Sequence, residues 1–243
     1  SVQDSEWVEN TLDIPVRRTS EPEYDMDTEG VYVFAPVIEG YTVSAPLPQV
    51  TVTVGEMPSI AAVVLDSGGA AKDSYDTFEN ALDHAETGET VKLLKEITLA
   101  APASITDKSI ILDLNGKKLT SAWPQTLTYT GTSDKTLTIT DSADGGVVEN
   151  TYGPKEGKAL VNNRTGTVEI LGGTIRSTGV YGYGIHNAST GTITVSGGSV
   201  EATGDQYASM YYYRARAIDN SGGGVVNISG TAQVTGVTGN GYA

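Results

Sequence analysis

Six tyrosines and two arginines crowd one stretch of this chain: Tyr181, Tyr183, Tyr207, Tyr211, Tyr212, Tyr213, Arg214 and Arg216. A tyrosine presents a flat apolar face together with a hydroxyl, which suits sugar rings and protein surfaces alike. The chemistry on offer is recognition of a ligand. Tyr242, near the last residue of the sequence, belongs to the same set.

Bond-breaking chemistry has weaker support. Hydrolysis of a glycosidic bond needs two carboxylates across it, one as acid and one as base or nucleophile. The candidates are Asp113, Asp141, Asp144, Glu149, Glu169, Glu201 and Asp219, and none forms an Asp-Asp or Asn-x-Asp pair with a histidine and an Arg-x-Lys close by. An elimination reaction would need calcium held by carboxylates and a basic residue, for which Arg164, Arg176, Arg214 and Arg216 are the arginines at hand. His186 is the single histidine of this half, in a slot that the repeat alignment below fills with Asn162 and Asp219 in the other copies, so it reads as a turn residue. Residues 25–30, DMDTEG, place oxygen ligands as a calcium loop does, but the twelfth position is Pro36 where a bidentate Glu is required. No catalytic residue, metal or cofactor is expected.

The elements that must position these side chains repeat. The run ALVNN-RTGTVEILGGTIRSTG returns as YGIHNASTGTITVSGGSVEATG and again as RAIDNSGGGVVNISGTAQVTG. The copies align an Asn (Asn163, Asn187, Asn220), a Gly (Gly166, Gly191, Gly224) and an apolar residue (Ile170, Val195, Ile228). A period of 20 to 50 residues marks a solenoid or array. Within each copy apolar and polar residues alternate, as in Ile193-Thr194-Val195, which is the period of a strand with one buried face. Pairs such as Gly172-Gly173 bend the chain between strands of four or five residues. Three short strands per unit cannot bury their inward Ile and Val alone, so units must stack in parallel. The expected architecture is an all-β parallel β-helix. The three asparagines read as a turn ladder whose side chains bond backbone amides.

Residues 109–119 and 135–150 carry the same alternation and read as earlier coils, with regular coils from about residue 109. Ahead of them Phe78, Ala81, Leu82 and Ala85 fall at helical spacing behind an Asp76 or Thr77 cap. Residues 77–85 are expected to form a short helix over the open end of the stack, covering core and unpaired strand edges. At the other end residues 239–243 line up with coil openings, so the array is expected to continue beyond Ala243 in a longer chain.

Stacking brings the linkers between successive coils side by side. They hold the tyrosines and arginines named above, so the prediction is one aromatic edge. The linker between the second and third copies is longer than the one before it, and expanded loops tend to carry function.

Charge is uneven. The chain carries −15 at pH 7, and residues 1–56 hold eleven Asp and Glu against Arg17 and Arg18, whereas residues 101–243 are nearly balanced. That division points to two domains, 1–56 and 57–243. Acidity on this scale argues against nucleic acid or an anionic membrane as partner. There is no cysteine and so no disulfide or thiolate chemistry, and no apolar run has the length of a membrane span.

In the front segment Val31-Tyr32-Val33-Phe34, Tyr41-Thr42-Val43 and residues 50–54 read as short strands broken by Gly40, Pro46 and Pro48. Its D-x-x-G-x-Y-x-F run, Asp27 through Phe34, and its closing Thr/Val strand resemble the bacterial Ig-like repeats of multi-module surface proteins of Gram-positive bacteria. The run YDTFENALDHAETGETVKLLKEITL, then KSIILDLNGKKL and the GGTI and GGSV coils, resembles the pectate-lyase-like β-helix modules of the same proteins. The resemblance implies a right-handed parallel β-helix with a capping helix, preceded by a small Ig-like domain, in a secreted, wall-attached protein with neighbouring modules. Such β-helices include lyases, hydrolases and non-catalytic adhesins, and fold does not choose among them. The residues favour a non-catalytic adhesion module whose aromatic edge binds a polysaccharide or a host surface protein. A polysaccharide-degrading enzyme and a plain stalk are the alternatives.

Overall fold

The computed structural model describes residues 30–33, 49–52, 59–153, 155–204 and 215–236. The chain divides into two compact units, Ser1–Pro58 and Ser59–Ala243. In the first, strands β1 (Gly30–Val33) and β2 (Gln49–Val52) pair antiparallel, with Val31 opposite Thr51. The expected strand at Tyr41, the acidic run 25–29 and Pro36 lie outside the described residues.

The second unit is a parallel β-helix. It opens with β3 (Ala62–Leu65), β4 (Ala71–Tyr75), helix α1 (Phe78–His84), β5 (Thr90–Leu93) and β6 (Ile97–Thr98). Five coils of three strands follow among the described residues. They are β7 (Ala103–Thr106), β8 (Ile110–Asp113), β9 (Lys118–Ser121); β10 (Gln125–Thr130), β11 (Thr136–Thr140), β12 (Val147–Asn150); β13 (Lys158–Asn162), β14 (Thr167–Ile170), β15 (Thr174–Ser177); β16 (Tyr183–Asn187), β17 (Thr192–Val195), β18 (Ser199–Ala202); and β19 (Arg216–Asp219), β20 (Val225–Ile228), β21 (Gln233–Gly236). Every strand pairs in parallel with the strand one coil away, giving sheet A (β7-β10-β13-β16-β19), sheet B (β5-β8-β11-β14-β17-β20) and sheet C (β6-β9-β12-β15-β18-β21).

Alternation in the sequence becomes rows in the fold. Leu112, Ile139, Ile170, Val195 and Ile228 are in register across sheet B, and Leu119, Val148, Ile175, Val200 and Val234 across sheet C. These rows face the interior, and all but the last member of each are fully buried. The intervening Thr, Lys, Glu and Arg residues face out, so each short strand is amphipathic only because its neighbours complete the wall.

Helix α1 spans 78–84 behind an N-cap at Thr77, whose Oγ accepts from Asn80 N at 3.2 Å. Phe78, Ala81 and Leu82 are buried against the first strands. Its last carbonyls would be orphaned at the helix end. Lys108, from the A-to-B corner of the first coil, donates to the carbonyls of Leu82 and of Ala85, the latter at 2.8 Å. Burial lowers the Lys108 ammonium below its ordinary value. The antiparallel pair β3–β4 continues sheet B beyond β5, and its outer strand carries exposed Lys72 and Asp73, a charged guard on the sheet edge.

The A-to-B corner holds the asparagine ladder, in a form different from the one expected. Its members are Asn162, Asn187 and Asn220, because Asn162 is the residue in register with Asn187 and Asn163 is exposed. The direction is also reversed: each side chain donates to the carbonyl of the glycine four residues on (Gly166, Gly191, Gly224, at 2.8 to 2.9 Å), and Asn162 and Asn187 also donate to Oδ1 of the next asparagine (3.2 Å and 2.7 Å). This explains the pairing of Asn with Gly in the repeat. A Cβ on Gly191 would strike Asn162 Nδ2 and lie 2.6 Å from Gly166 O, and one on Gly224 would lie 2.5 Å from Asn187 Nδ2. One coil earlier Tyr129 occupies the row, fully buried, with its hydroxyl donating to Lys108 O at 3.3 Å.

Gly191→Ala is therefore expected to lower the unfolding free energy by about 3 kcal/mol through overpacking and loss of ladder bonds. Urea denaturation checks this against Gly153→Ala, where an added Cβ meets nothing within 4 Å.

Candidate binding edge

The C-to-A corners stack through backbone bonds from Thr151 N to Ser121 O, Thr178 N to Asn150 O and Thr203 N to Ser177 O, at 2.8 to 2.9 Å. Beneath them lies a second buried polar row, Ser121, Asn150 and Ser177. Asn150 ties two successive corners together: Nδ2 donates to Trp123 O at 2.8 Å and Oδ1 accepts from Tyr152 N at 3.1 Å. Ser121 Oγ accepts from Trp123 N at 3.0 Å. Trp123, Tyr152 and Tyr181 thus occupy three successive corners of one edge. Trp123 is 47% exposed, Tyr152 and Tyr181 intermediate.

Trp123 and Tyr152 were not among the residues singled out from the sequence. The signal was present as an aromatic two residues beyond the third strand of each earlier coil, but those coils lack the repeat spacing that locates their corners. Of the residues that were singled out, Tyr207, Tyr211, Tyr212, Tyr213 and Arg214 lie outside the described residues, as does Tyr242.

Tyr183 and Arg216 sit beside this edge, at the start of the sheet A strands, in register with Lys158. Lys158 Nζ lies 5.4 Å from the Tyr183 ring centroid and Arg216 Cζ 5.5 Å, one from the coil before and one from the coil after. Tyr183 is only 6% exposed, so its ring is a cation-bound hub, while the Arg216 side chain keeps 47% of its surface open. Burial first, and then the nearby Glu156, push the Tyr183 phenol up to about 12.

The next outward row is Val161, His186 and Asp219, which corrects the slot assigned above to Asn162 by one residue. Asp219 collects donors: Arg216 at 2.8 Å on Oδ1, Ser221 Oγ at 2.7 Å and His186 Nε2 at 3.4 Å on Oδ2. His186 Nε2 also lies 3.2 Å from Ser221 Oγ, and its Nδ1 is buried without a partner. A nucleophilic triad needs the carboxylate on one ring nitrogen and the serine on the other. Here both meet the same nitrogen, and the Ser221 proton is directed at Asp219. Burial pushes Asp219 up, but its bonds to Ser221 and Arg216 outweigh that and hold it below the ordinary range. Burial lowers His186, more than Asp219 raises it.

Most of the acidic side chains on the coils are engaged in bonds within the coils. On sheet C, Thr120, Glu149, Arg176, Glu201 and Thr235 form one row. Glu149, its side chain 8% exposed, accepts from Lys118 Nζ at 2.7 Å and from Arg176 Nη2 and Nε at 2.6 and 3.0 Å, and Arg176 reaches Glu201 at 4.0 Å. Asp113 accepts from Ser142 and Asn115 and pairs with Lys92 at 3.3 Å. Asp141 accepts from Gly116 N and Gly146 N, both at 2.6 Å, bracing the B-to-C corner. Burial pushes Glu149 up, but Lys118 and Arg176 together hold it below its ordinary value, the opposite of what a general acid needs. Among the described residues no group of three or more His, Asp or Glu side chains converges to hold a metal ion.

Comparisons with protein-family models, with curated proteins and with solved structures give no match, so the site rests on its own geometry.

The sign of the Glu149 shift sets a pH dependence. A depressed carboxylate stabilises the fold above its unfolded value, near 4.5, and loses that contribution as pH falls through the lower folded value. Glu149→Gln should cost roughly 2 kcal/mol at pH 7, below the range for a fully buried pair because both cations stay partly in water. The difference from the parent protein should shrink progressively below pH 4.5 in urea titrations run at several pH values.

Proposed function

We propose that this chain is a non-catalytic, extracellular binding module, part of a multi-module bacterial surface protein, whose C-to-A edge takes a polysaccharide or a host surface protein. The observation that carries the reading is the run of Trp123, Tyr152 and Tyr181 on successive stacked corners, with the indole half open to solvent. Aromatic faces spaced along one rigid edge match the repeating rings of an extended glycan better than a single compact substrate. In the sequence, the tyrosine-rich segment 205–214 falls between β18 and β19. Rigidity supports affinity, since an edge braced by buried Asn150 loses little freedom on binding.

The acidic side chains do not favour an enzyme. Glu149 and Asp219 hold salt bridges, and Asp113 and Asp141 brace turns. A protonated carboxylic acid facing a second carboxylate would be required for hydrolysis.

A glycan-array screen of the chain beside Trp123→Ala and the triple variant Tyr211→Ala, Tyr212→Ala, Tyr213→Ala tests the reading. Binding weakened at least about tenfold in either variant is expected, as for the loss of a central aromatic anchor. Equal binding by all three would move the site off this edge. No binding by the parent chain to any glycan or to host surface protein would leave a stalk as the better account.

A further inference from the structure

Two dipeptides with the same latent chemistry stand in adjacent B-to-C corners: Asn115-Gly116 between β8 and β9, and Asp144-Gly145 between β11 and β12. In either one the glycine nitrogen can attack the preceding side-chain Cγ and close a five-membered succinimide, because glycine puts no side chain in the way. Asparagine then expels ammonia, and aspartic acid expels water. Water reopens the ring at one of its two carbonyls, leaving aspartate, or isoaspartate with the main chain running through Cγ. Solvent is the only co-reactant, and nothing is oxidised or reduced. In an unfolded chain near neutral pH Asn-Gly is the faster of the two, since an ionised carboxylate resists nucleophilic attack.

The fold restrains the faster dipeptide and leaves the slower one free. Asn115 and Gly116 are both left-handed, with φ of 49° and 70°, and both are held. Asn115 Nδ2 donates to Leu93 O at 2.8 Å, and Gly116 N, the nucleophile, donates to Asp141 Oδ1 at 2.6 Å. That nitrogen must break a charge-assisted bond before it can attack. The next corner also lies over it: a Cβ on Gly116 would be 3.0 Å from Asp144 O and 3.4 Å from Ala143 Cβ. Asp144 and Gly145 have the same backbone handedness, φ 55° and 86°, without these restraints. Their corner, 141–146, is longer than 114–117 before it and 171–173 after it, so its tip stands clear of the stack on both sides. Both residues are exposed, and a Cβ on Gly145 would meet nothing within 4 Å. Among the described residues neither Gly145 N nor the Asp144 carboxylate has a hydrogen-bond partner.

We propose that Asp144 is a site of spontaneous covalent modification, converting to isoaspartate through a succinimide with Gly145, and that Asp141 protects Asn115-Gly116 from the same reaction. The extra backbone carbon is confined to the tip of the corner. On one side Ser142 is anchored to Asp113, N to Oδ1 at 2.9 Å and Oγ to Oδ2 at 2.7 Å. On the other, Gly146 N donates to Asp141 Oδ2 at 2.6 Å and Gly146 O accepts from Thr174 N at 2.9 Å. The wall therefore keeps its register while the exposed corner acquires a carboxylate on a lengthened backbone, the group that a methyltransferase selective for isoaspartyl carboxylates takes as substrate.

The test is to hold the whole chain, folded and in urea, in heavy-oxygen water near neutral pH for several weeks. Each ring opening leaves one heavy oxygen, and electron-transfer fragmentation of the digested peptides tells isoaspartate from aspartate. Reading peptide by peptide counts Asn240-Gly241, outside the described residues, apart from the rest. In the folded protein Asp144 should gain label as isoaspartate within about threefold of its rate in urea, while Asn115 should be slowed at least about tenfold, as for a group that reacts only after a braced turn opens. Asn115→Asp sets the same Asp-Gly chemistry in the braced corner and should stay unlabelled while Asp144 reacts in the same molecule. Asp144→Glu should abolish the label there, because its ring would need a sixth member. Asp141→Ala should release Asn115, with circular dichroism reporting that the coils are kept. The proposal is overturned by a folded protein in which Asn115 reacts faster than Asp144, by an Asp144 that reacts in urea but not in the fold, or by an Asn115→Asp chain labelled equally at both sites. A folded Asp141→Ala chain with Asn115 still protected overturns the part given to Asp141.

Discussion

Parallel registration of one coil on the next is the constraint on which everything else in this unit depends. No coil has a core of its own: Ile185, Ile193, Val195 and Val200 are buried only because the coils before and after close over them. Registration is enforced by shape at the A-to-B corner, where the asparagine amide of one coil fills the space that a side chain on the neighbouring glycine would take. A slip of one residue would set Asn against aliphatic and expose a wall of Val and Ile. Polar bonds in that corner are few, but they are directional and buried, and they specify which of many similar stackings is adopted.

The outer face repeats the logic in charge. Glu149 sits between Lys118 and Arg176 because Arg176 shares its register position in the next coil and Lys118 lies two residues before its register partner Thr120 in the coil before, so the ion ladder forms only in the correct stack. The same stacking sets Lys158, Tyr183 and Arg216 over one another beside the candidate edge. Side chains far apart in sequence become a continuous surface without any of them being placed by a loop of its own. The edge is thus as rigid as the wall that carries it, and its aromatic residues stand over buried Ser121, Asn150 and Ser177.

How much of this was legible in the sequence varied with distance from the regular repeats. The period-two alternation of Val168, Ile170, Ile193 and Val195 gave strands, their inward face and parallel stacking, and helix α1 could be read from Thr77 and the spacing of Phe78, Ala81 and Leu82. The ladder was misplaced by one residue because Asn162 and Asn163 are adjacent and identical in type, and only register tells which one points inward. Tyr183 looked like an open ring, and its two covering cations come from coils 25 and 33 residues away in sequence. The role of Glu149 was invisible for the same reason. Trp123 and Tyr152 escaped notice because the early coils differ in corner length, so that they share one edge with Tyr181 emerges only after stacking.

The link between Lys108 and helix α1 has a bearing on how the molecule is built in time. The cap needs nothing beyond the first coil: its carbonyls are satisfied at residue 108, and its apolar face by strands that precede residue 106. Each later coil rests on the one just finished, through bonds such as Asn162 to Asn187 and Asn187 to Asn220. A chain emerging from its N-terminus can therefore lay down this solenoid in the order of its own synthesis, with a finished template always waiting for the next turn.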